Sequence, residues 1–193
     1  TILALMVTDH GACSIGGEVP LLIYDAKRQE VKVLCGQGRA PLAQEAIDWY
    51  MKNGIPRQGV KMAPVPSVVD SCCTTLMLYG TKSFAAVVEP ALALLDKGTE
   101  DWQPKLAATL RKMVEEERHT PGSREAKLQA ACDRFYGRAR GVAGRAETGQ
   151  ATDGPAGDIA DQLEAFYISK GGFLRRADLA AHKTTVEDPV TVD

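Results

Sequence analysis

The 193-residue sequence has no apolar run close to the roughly 20 residues that a bilayer-spanning helix needs, so it predicts no membrane partner. It has no excess of either charge: a net charge of −2 and a pI near 5.9 argue against a nucleic-acid surface. The spacings CxxC and HxxxH are absent, which argues against a zinc site. The hydrophobic and charged fractions, 45 % and 25 %, are ordinary for a globular chain with one sizeable core.

Cysteines are few and odd in number, with 5 in the chain. Cys72 and Cys73 are adjacent, which is poor geometry for a mutual disulfide. Free thiols in a reducing compartment are therefore expected, and the cytoplasm is the favoured location. The chain does not begin with Met, so we interpret its start as cut, which leaves a periplasmic or secreted location open.

A complete catalytic set is lacking as well. The 3 histidines, His10, His119 and His182, are scattered, and each is interpreted as a surface residue. No Ser or Cys stands in a nucleophile-elbow context. A reactive pair of Cys13 with His10 is an alternative to two unrelated surface groups.

A hairpin with a glycine-rich exit is the most informative stretch that is present. Two short runs rich in strand-forming residues, 19–24 and 31–34, flank a polar link, which predicts an antiparallel pair. The second strand leads into Cys35-Gly36-Gln37-Gly38-Arg39-Ala40-Pro41, where glycines free the backbone beside a single cation. Loops after strands are where binding sites are usually built.

Helical spacing and caps predict helices over 43–51, 67–79, 84–97, 100–119, 124–135, 159–169 and 176–182. The expected caps of the third, fourth and fifth of these helices are Ser83, Thr99 and Ser123, and Pro90 predicts a kink in the third or its division into two. The start, 1–7, fits either a buried strand or the end of a helix. Residues 61–65 are expected to be extended, and 184–193 to begin a strand.

The segment 137–157 lacks an apolar period and is rich in Gly, Ala, Thr and Arg, which predicts a flexible loop. Its arginines are read either as an anion site or as a solvated surface. No Lys-Ser/Thr follows its glycines, so it is not a phosphate loop. The sequence as a whole predicts a single domain over 1–193, interpreted as truncated at both ends.

Four stretches together resemble the large subunit of the γ-glutamyltranspeptidase superfamily. They are the Ile15-Gly16-Gly17 to Pro41 hairpin, Val65-Pro66-Ser67-Val68-Val69-Asp70, the helix with Glu89-Pro90-Ala91-Leu92-Ala93-Leu94, and Gly171-Gly172-Phe173-Leu174 followed by Asp178-Leu179-Ala180. Their order matches that of the family, and 100–155 lies outside the likeness. In the family pattern Ser67 is a glycine and Cys72 a large aromatic residue, so altered packing is expected there.

The resemblance implies an α+β fold, the αββα sandwich of N-terminal-nucleophile hydrolases, completed by a separate small subunit. It implies a precursor that cleaves itself, and a nucleophilic Thr at the new amino terminus of the small subunit, whose own α-amine takes the proton. No catalytic residue, metal or cofactor is then expected in this chain. The implied partners are the small subunit and a small-molecule acyl or amide substrate carrying a carboxylate.

The resemblance implies that this chain contributes substrate recognition, through Arg39 and Gln37. In γ-glutamyl-transferring relatives an Arg-Glu pair precedes the Ala-Pro, and its Arg binds the substrate α-carboxylate. Here Gln37 and Gly38 occupy those positions and Arg39 follows, which is more similar to small-acid amidohydrolases than to glutathione-specific members. A structural cation is the alternative role for Arg39. Hydrolysis of a C–C bond in secondary metabolism and a non-catalytic relative are the alternative functions.

Overall fold

The sheet is built on the predicted hairpin. In the computed structural model, which describes residues 1–138 and 159–191, strand β1 (Leu21–Asp25) pairs antiparallel with β2 (Glu30–Cys35). The Asp25 carboxylate accepts the backbone N–H of Lys27 at 2.9 Å, which closes the connecting turn. A short strand, β3 (Thr185–Glu187), pairs antiparallel with the other edge of β2, so the order is β1-β2-β3. The predicted hairpin is confirmed, whereas the strand expected over 184–193 is only these few residues long.

The helices of the described residues follow the predicted pattern closely. They are α1 (Ile2–Thr8), α2 (Gln44–Asn53), α3 (Val68–Tyr79), α4 (Phe84–Leu95), α5 (Gln103–His119), α6 (Arg124–Tyr136), α7 (Ile159–Ser169) and α8 (Arg176–Ala181). Ser83 and Ser123 cap α4 and α6 as expected, each hydroxyl accepting a backbone N–H three residues on at 3.2 Å. Among these residues no helix is both long enough and apolar enough to span a bilayer.

The chain divides into two compact units, of which the first comprises Thr1–Gln37, Ser67–Cys132 and Lys183–Asp193. It holds the sheet, and α4 packs there against both α1 and α5. The buried side chains of α4 recur at helical spacing: Phe84, Val88, Ala91 and Leu95. Each large apolar side chain buried in this way contributes about 1.5–3 kcal/mol relative to exposure. Helix α3 contacts β2, where Leu34 is fully buried.

The second unit comprises Gly38–Pro66 and Asp133–His182. Trp49, Tyr50 and Phe173 form an aromatic cluster with ring centroids 5.4–5.6 Å apart. The Lys61 ammonium lies 4.2 Å from the Trp49 ring centroid, a cation–π distance, and the Tyr50 hydroxyl donates to the Lys61 carbonyl at 2.6 Å. Helix α7 packs against α8. The assignment of 1–193 to one large-subunit domain stays a prediction, and the loop predicted over 137–157 lies, from residue 139 onward, outside the described residues.

Helix α5 begins later than predicted. Thr99 does not cap it; the residue before its first turn is Trp102, and Pro104 occupies that turn. The Gln103 side-chain oxygen accepts the backbone N–H of Glu100 at 2.9 Å, so the residues expected to start the helix form a turn instead. A proline suits the first helical turn because its missing N–H has no intrahelical partner there.

Two other ambiguities are resolved by the structure. The first residues are helical rather than a strand, and α4 runs as one helix across Pro90 instead of dividing. The segment expected to be extended over 61–65 opens with a 3-10 turn, Val60–Met62.

His182 was expected on the surface but is only 2 % exposed, its ring 5.7 Å from that of Tyr136. That prediction was wrong because it rested on neighbours in sequence, whereas the ring packs against a distant helix.

Candidate functional site

The loop that follows β2 carries both residues predicted to bind substrate. Gln37 and Arg39 are each exposed. Only Gly38 separates them, and two trans peptide units limit the distance between their α-carbons to about 7.6 Å. Two polar side chains of the kind that recognise carboxylates therefore reach solvent from one short stretch of backbone.

The backbone of Arg39 is held in place within the second unit. Its carbonyl accepts the N–H of Val65 at 2.9 Å. The preceding Gly38 lies so close to this segment that a Cβ would stand 2.1 Å from the Val65 carbonyl oxygen, so no other residue fits. Across residues 1–138 and 159–191, no hydrogen bond or ion pair engages the Arg39 guanidinium. The structure thus combines an anchored main chain with a cation that faces water.

The backbone before Gln37 is held just as closely within the first unit. The Gly36 carbonyl accepts the Val19 N–H at 2.9 Å and the Ser67 hydroxyl at 2.5 Å. A Cβ at Gly36 would meet the Val19 carbonyl oxygen at 1.8 Å, so this position also requires glycine. From the sequence, Ser67 was expected only to alter the packing. Its contact with Gly36 was missed because the two residues are 31 positions apart and no local pattern indicates that they meet.

A buried polar cluster on α3 fixes the chain just before β3. The Asp70 carboxylate, 3 % exposed, accepts the Thr184 N–H at 2.7 Å and the Cys132 thiol at 3.3 Å. Ser71, the next residue of α3, reaches the same place, its hydroxyl 3.1 Å from that of Thr184. A buried carboxylate is stable only when it accepts hydrogen bonds in this way. The cluster is a scaffold beneath the sheet, and none of its side chains reaches solvent.

The surroundings of Cys72 make its thiol a poor nucleophile at neutral pH. It lines a largely apolar cavity of about 470 Å³ in the first unit, between α1, β1 and α3 to α5. Burial, with the neighbouring Cys73 adding to it, raises the pKa of the Cys72 thiol to about 12. The thiolate is the reactive form of cysteine, so this environment lowers the reactivity of Cys72 at neutral pH.

Two of the histidines, His10 and His119, lie at the surface of the first unit. His119 ends α5 in solvent, and the exposed His10 ring lies 5.0 Å from that of Trp102. Within the part of the chain that the structure describes, no group of three or more His, Cys, Asp and Glu side chains could hold a metal ion. That the chain contributes no catalytic residue stays a prediction.

Comparison with known proteins identifies the family of the chain. The family model described as gamma-glutamyltranspeptidase matches residues 1–193. The chain belongs to the gamma-glutamyltranspeptidase family. The predicted recognition of this family and its α+β fold of the N-terminal-nucleophile hydrolase type are confirmed.

Individual relatives are distant but align over nearly the whole chain. A protein of Pseudomonas sp. (strain A14) named glutathione hydrolase proenzyme is 28 % identical over 98 % of this chain and 35 % of its own length. The solved structure of LmbA2991HD superposes with a TM-score of 0.75 at 26 % identity, covering 99 % of this chain and 38 % of that one. The gamma-glutamyltranspeptidase of Pseudomonas nitroreducens, solved with L-DON, gives 0.65 at 19 % identity, over 100 % and 58 %. The chain therefore spans about a third of the length of the curated relatives it matches.

Proposed function

We propose that this chain is the large-subunit portion of an autoprocessed amidohydrolase or acyltransferase, in which Arg39 and Gln37 recognise the substrate. The observation that carries the proposal is the Arg39 guanidinium: exposed, without a partner among the described residues, and mounted on a backbone fixed by Val65. A guanidinium presents paired donors that match the two oxygens of a carboxylate. The substrate class is thus a small acyl or amide compound that carries a carboxylate.

The reacting group, in this proposal, belongs to a small subunit released from the same precursor. An amino-terminal Thr hydroxyl attacks the acyl carbon while its own α-amine, with an ordinary pKa near 8, accepts the proton. The scissile C–N bond breaks as the α-ammonium returns this proton to the leaving amine, and the acyl group then passes from the Thr oxygen to water or to an amine, which restores the hydroxyl. Membership of a family whose curated relative is named a proenzyme supports this division of labour.

Glutathione is the substrate that the relative's name suggests, and the loop argues for a different preference. Gln37 and Gly38 stand where γ-glutamyl-transferring relatives are expected to place an Arg-Glu pair, and the cation is displaced to Arg39. A displaced guanidinium moves the carboxylate it binds relative to the scissile bond. We therefore expect small acid amides to be cleaved with higher kcat/KM than glutathione.

The test is a kinetic comparison of Arg39→Ala and unmodified enzyme, each expressed as the full precursor. Loss of charge-assisted hydrogen bonds of about 1.5–3 kcal/mol raises KM about 10- to 100-fold for a carboxylate substrate, with kcat little changed. For the matched neutral amide, which lacks the carboxylate, the variant and the unmodified enzyme should have equal KM. Arg57→Ala removes another exposed arginine of the same unit and is the control.

Two results would overturn the proposal. A processed Arg39→Ala enzyme with unchanged KM for the carboxylate substrate would remove Arg39 from recognition. Mass spectrometry of the purified enzyme should show a second polypeptide that begins with Thr; turnover by an uncleaved precursor would remove the small-subunit nucleophile.

A further inference from the structure

The hydroxyl of Ser67 holds the peptide that joins Gly36 to Gln37, an unusual role for a serine at the start of a helix. Ser67 directly precedes α3, the position where a serine hydroxyl ordinarily caps the helix by accepting a backbone N–H. Here the hydroxyl makes no such cap. It donates instead to the Gly36 carbonyl at 2.5 Å, and Ser67 is 0 % exposed.

The backbone of Ser67 is fixed, and its hydroxyl has only a longer alternative acceptor among the described residues, the Gly17 carbonyl at 3.4 Å. Its backbone N–H donates to the Gly17 carbonyl at 3.1 Å, and its carbonyl accepts the N–H of Ser71 at 3.0 Å. A rotated hydroxyl would lose its short bond to Gly36 inside a buried site, which is costly. The Gly36 carbonyl is therefore fixed from two sides, by Val19 and by Ser67.

A carbonyl fixed in this way also fixes the residue after it. The carbonyl of Gly36 and the amide nitrogen of Gln37 share one planar peptide unit, so orienting the carbonyl orients the start of Gln37. Gln37 is exposed, and its side chain leaves the backbone at this fixed point. A glycine before Gln37 would otherwise allow this peptide to rotate freely.

We propose that Ser67 is a positioning residue for substrate recognition: its hydroxyl holds the Gly36 peptide so that the Gln37 side chain is aimed at the substrate. This rests on the proposed function in so far as Gln37 contacts the substrate. Ser67 does not touch the substrate and acts only through Gln37. It contributes to specificity, because a polar contact discriminates between substrates only when its geometry is fixed.

The kinetic test is a double-mutant cycle in the full, processed enzyme. Ser67→Ala should raise KM about 3- to 10-fold with little change in kcat, the range expected for one neutral hydrogen bond. Gln37→Ala should raise KM at least as much, and the double variant should match Gln37→Ala alone, because Ser67 acts through that side chain. The proposal would be overturned if the KM increases of the two single variants multiplied in the double variant, or if Ser67→Ala left KM unchanged.

Ser71→Ala is the matched control. Ser71 lies one turn further along α3 and is equally buried at 0 %. Its hydroxyl also packs beside Gly36, but it bonds the Thr184 hydroxyl and not the Gly36 carbonyl. It should lose stability without a change in KM; a KM rise equal to that of Ser67→Ala would reduce the role of Ser67 to general packing. Ser67→Gly also removes the hydroxyl and should reproduce the KM of Ser67→Ala, which keeps the test available where the alanine variant fails to mature.

Hydrogen exchange gives a readout that does not depend on activity. The Val19 N–H donates to the Gly36 carbonyl, so its exchange reports whether that carbonyl stays in place. Exchange at Val19 should accelerate about 3- to 10-fold in Ser67→Ala and not in Ser71→Ala. If Gln37→Ala alone leaves KM unchanged, the proposed role of Gln37 has failed, whereas unchanged Val19 exchange in Ser67→Ala shows that Ser67 does not hold the peptide.

Discussion

Glu117 stabilises the amino end of α4 from a helix that follows it in the chain. Both of its carboxylate oxygens accept backbone N–H groups of α4, from Phe84 at 2.6 Å and from Ala85 at 2.8 Å. The first N–H groups of a helix have no intrahelical partner, and the helix dipole makes this end positive. Since Glu117 is only 4 % exposed, little water could replace it. The perturbation to make is Glu117→Ala.

The expected cost follows from the two bonds. The Phe84 N–H is buried and its loss costs about 2 kcal/mol, whereas the partly buried Ala85 N–H regains some water and costs about 1 kcal/mol. Removing the anion from the dipole adds up to about 1 kcal/mol. Glu117→Ala should therefore lower the free energy of opening α4 by about 3–4 kcal/mol. Glu117→Gln keeps one acceptor oxygen but turns an NH₂ toward the other N–H, so it should cost about half as much.

Amide hydrogen exchange of the α4 interior, read at Val88 in the intact protein, measures this opening directly. A loss of 3–4 kcal/mol corresponds to exchange that is faster by about two to three orders of magnitude. Glu115→Ala is the control, since that carboxylate is exposed on the same helix and its removal should change exchange by less than about threefold. Equal exchange rates in Glu117→Ala and Glu115→Ala would refute the reasoning.

Two further predictions concern ionisable groups. Because burial raises the pKa of Cys72 to about 12 from 9.0, its alkylation at pH 8 should be about a thousandfold slower in the native protein than in urea, and peptide mass spectrometry showing equal rates would contradict this. The exposed pair of Lys32 with Asp188, 2.7 Å apart, raises the pKa of Lys32 above 10.5 and lowers that of Asp188 below 3.8. The ion pair therefore stabilises the folded protein between pH 3.8 and pH 10.5. This stabilisation is lost as the pH rises through the raised Lys32 pKa, and it is lost as the pH falls through the lowered Asp188 pKa. In Lys32→Met, an NMR titration should return the Asp188 pKa toward 3.8; an unmoved pKa would show that the pair does not form.

Local patterns predicted most of the secondary structure. Two runs of strand-forming residues and a polar link were sufficient for the β1–β2 hairpin, and serines at Ser83 and Ser123 were sufficient for two helix starts. These features are settled within a few residues, so a single sequence displays them. Thr99 failed as a cap because Pro104 and the Gln103 side chain, both further along, moved the helix start.

The burial of individual side chains was less predictable from the sequence than the elements themselves. Phe166 fits the apolar stripe of α7 in sequence and yet is 51 % exposed, whereas His182 is buried against Tyr136. Burial depends on which other elements cover a face, and periodicity along one helix does not contain that information.

The sequence by itself determined the hairpin and, through four stretches in the order of the family, the family, because both are visible in the order of residues. The same resemblance led us to propose Gln37 and Arg39 as substrate-binding residues. Only the tertiary structure decided how the loop that carries them is held. The hydroxyl of Ser67 reaches Gly36 across 31 residues, and the carboxylate of Glu117 reaches Phe84 across 33. Such contacts exist only once the chain has folded, since the distance between the partners is set by packing and not by their separation in sequence.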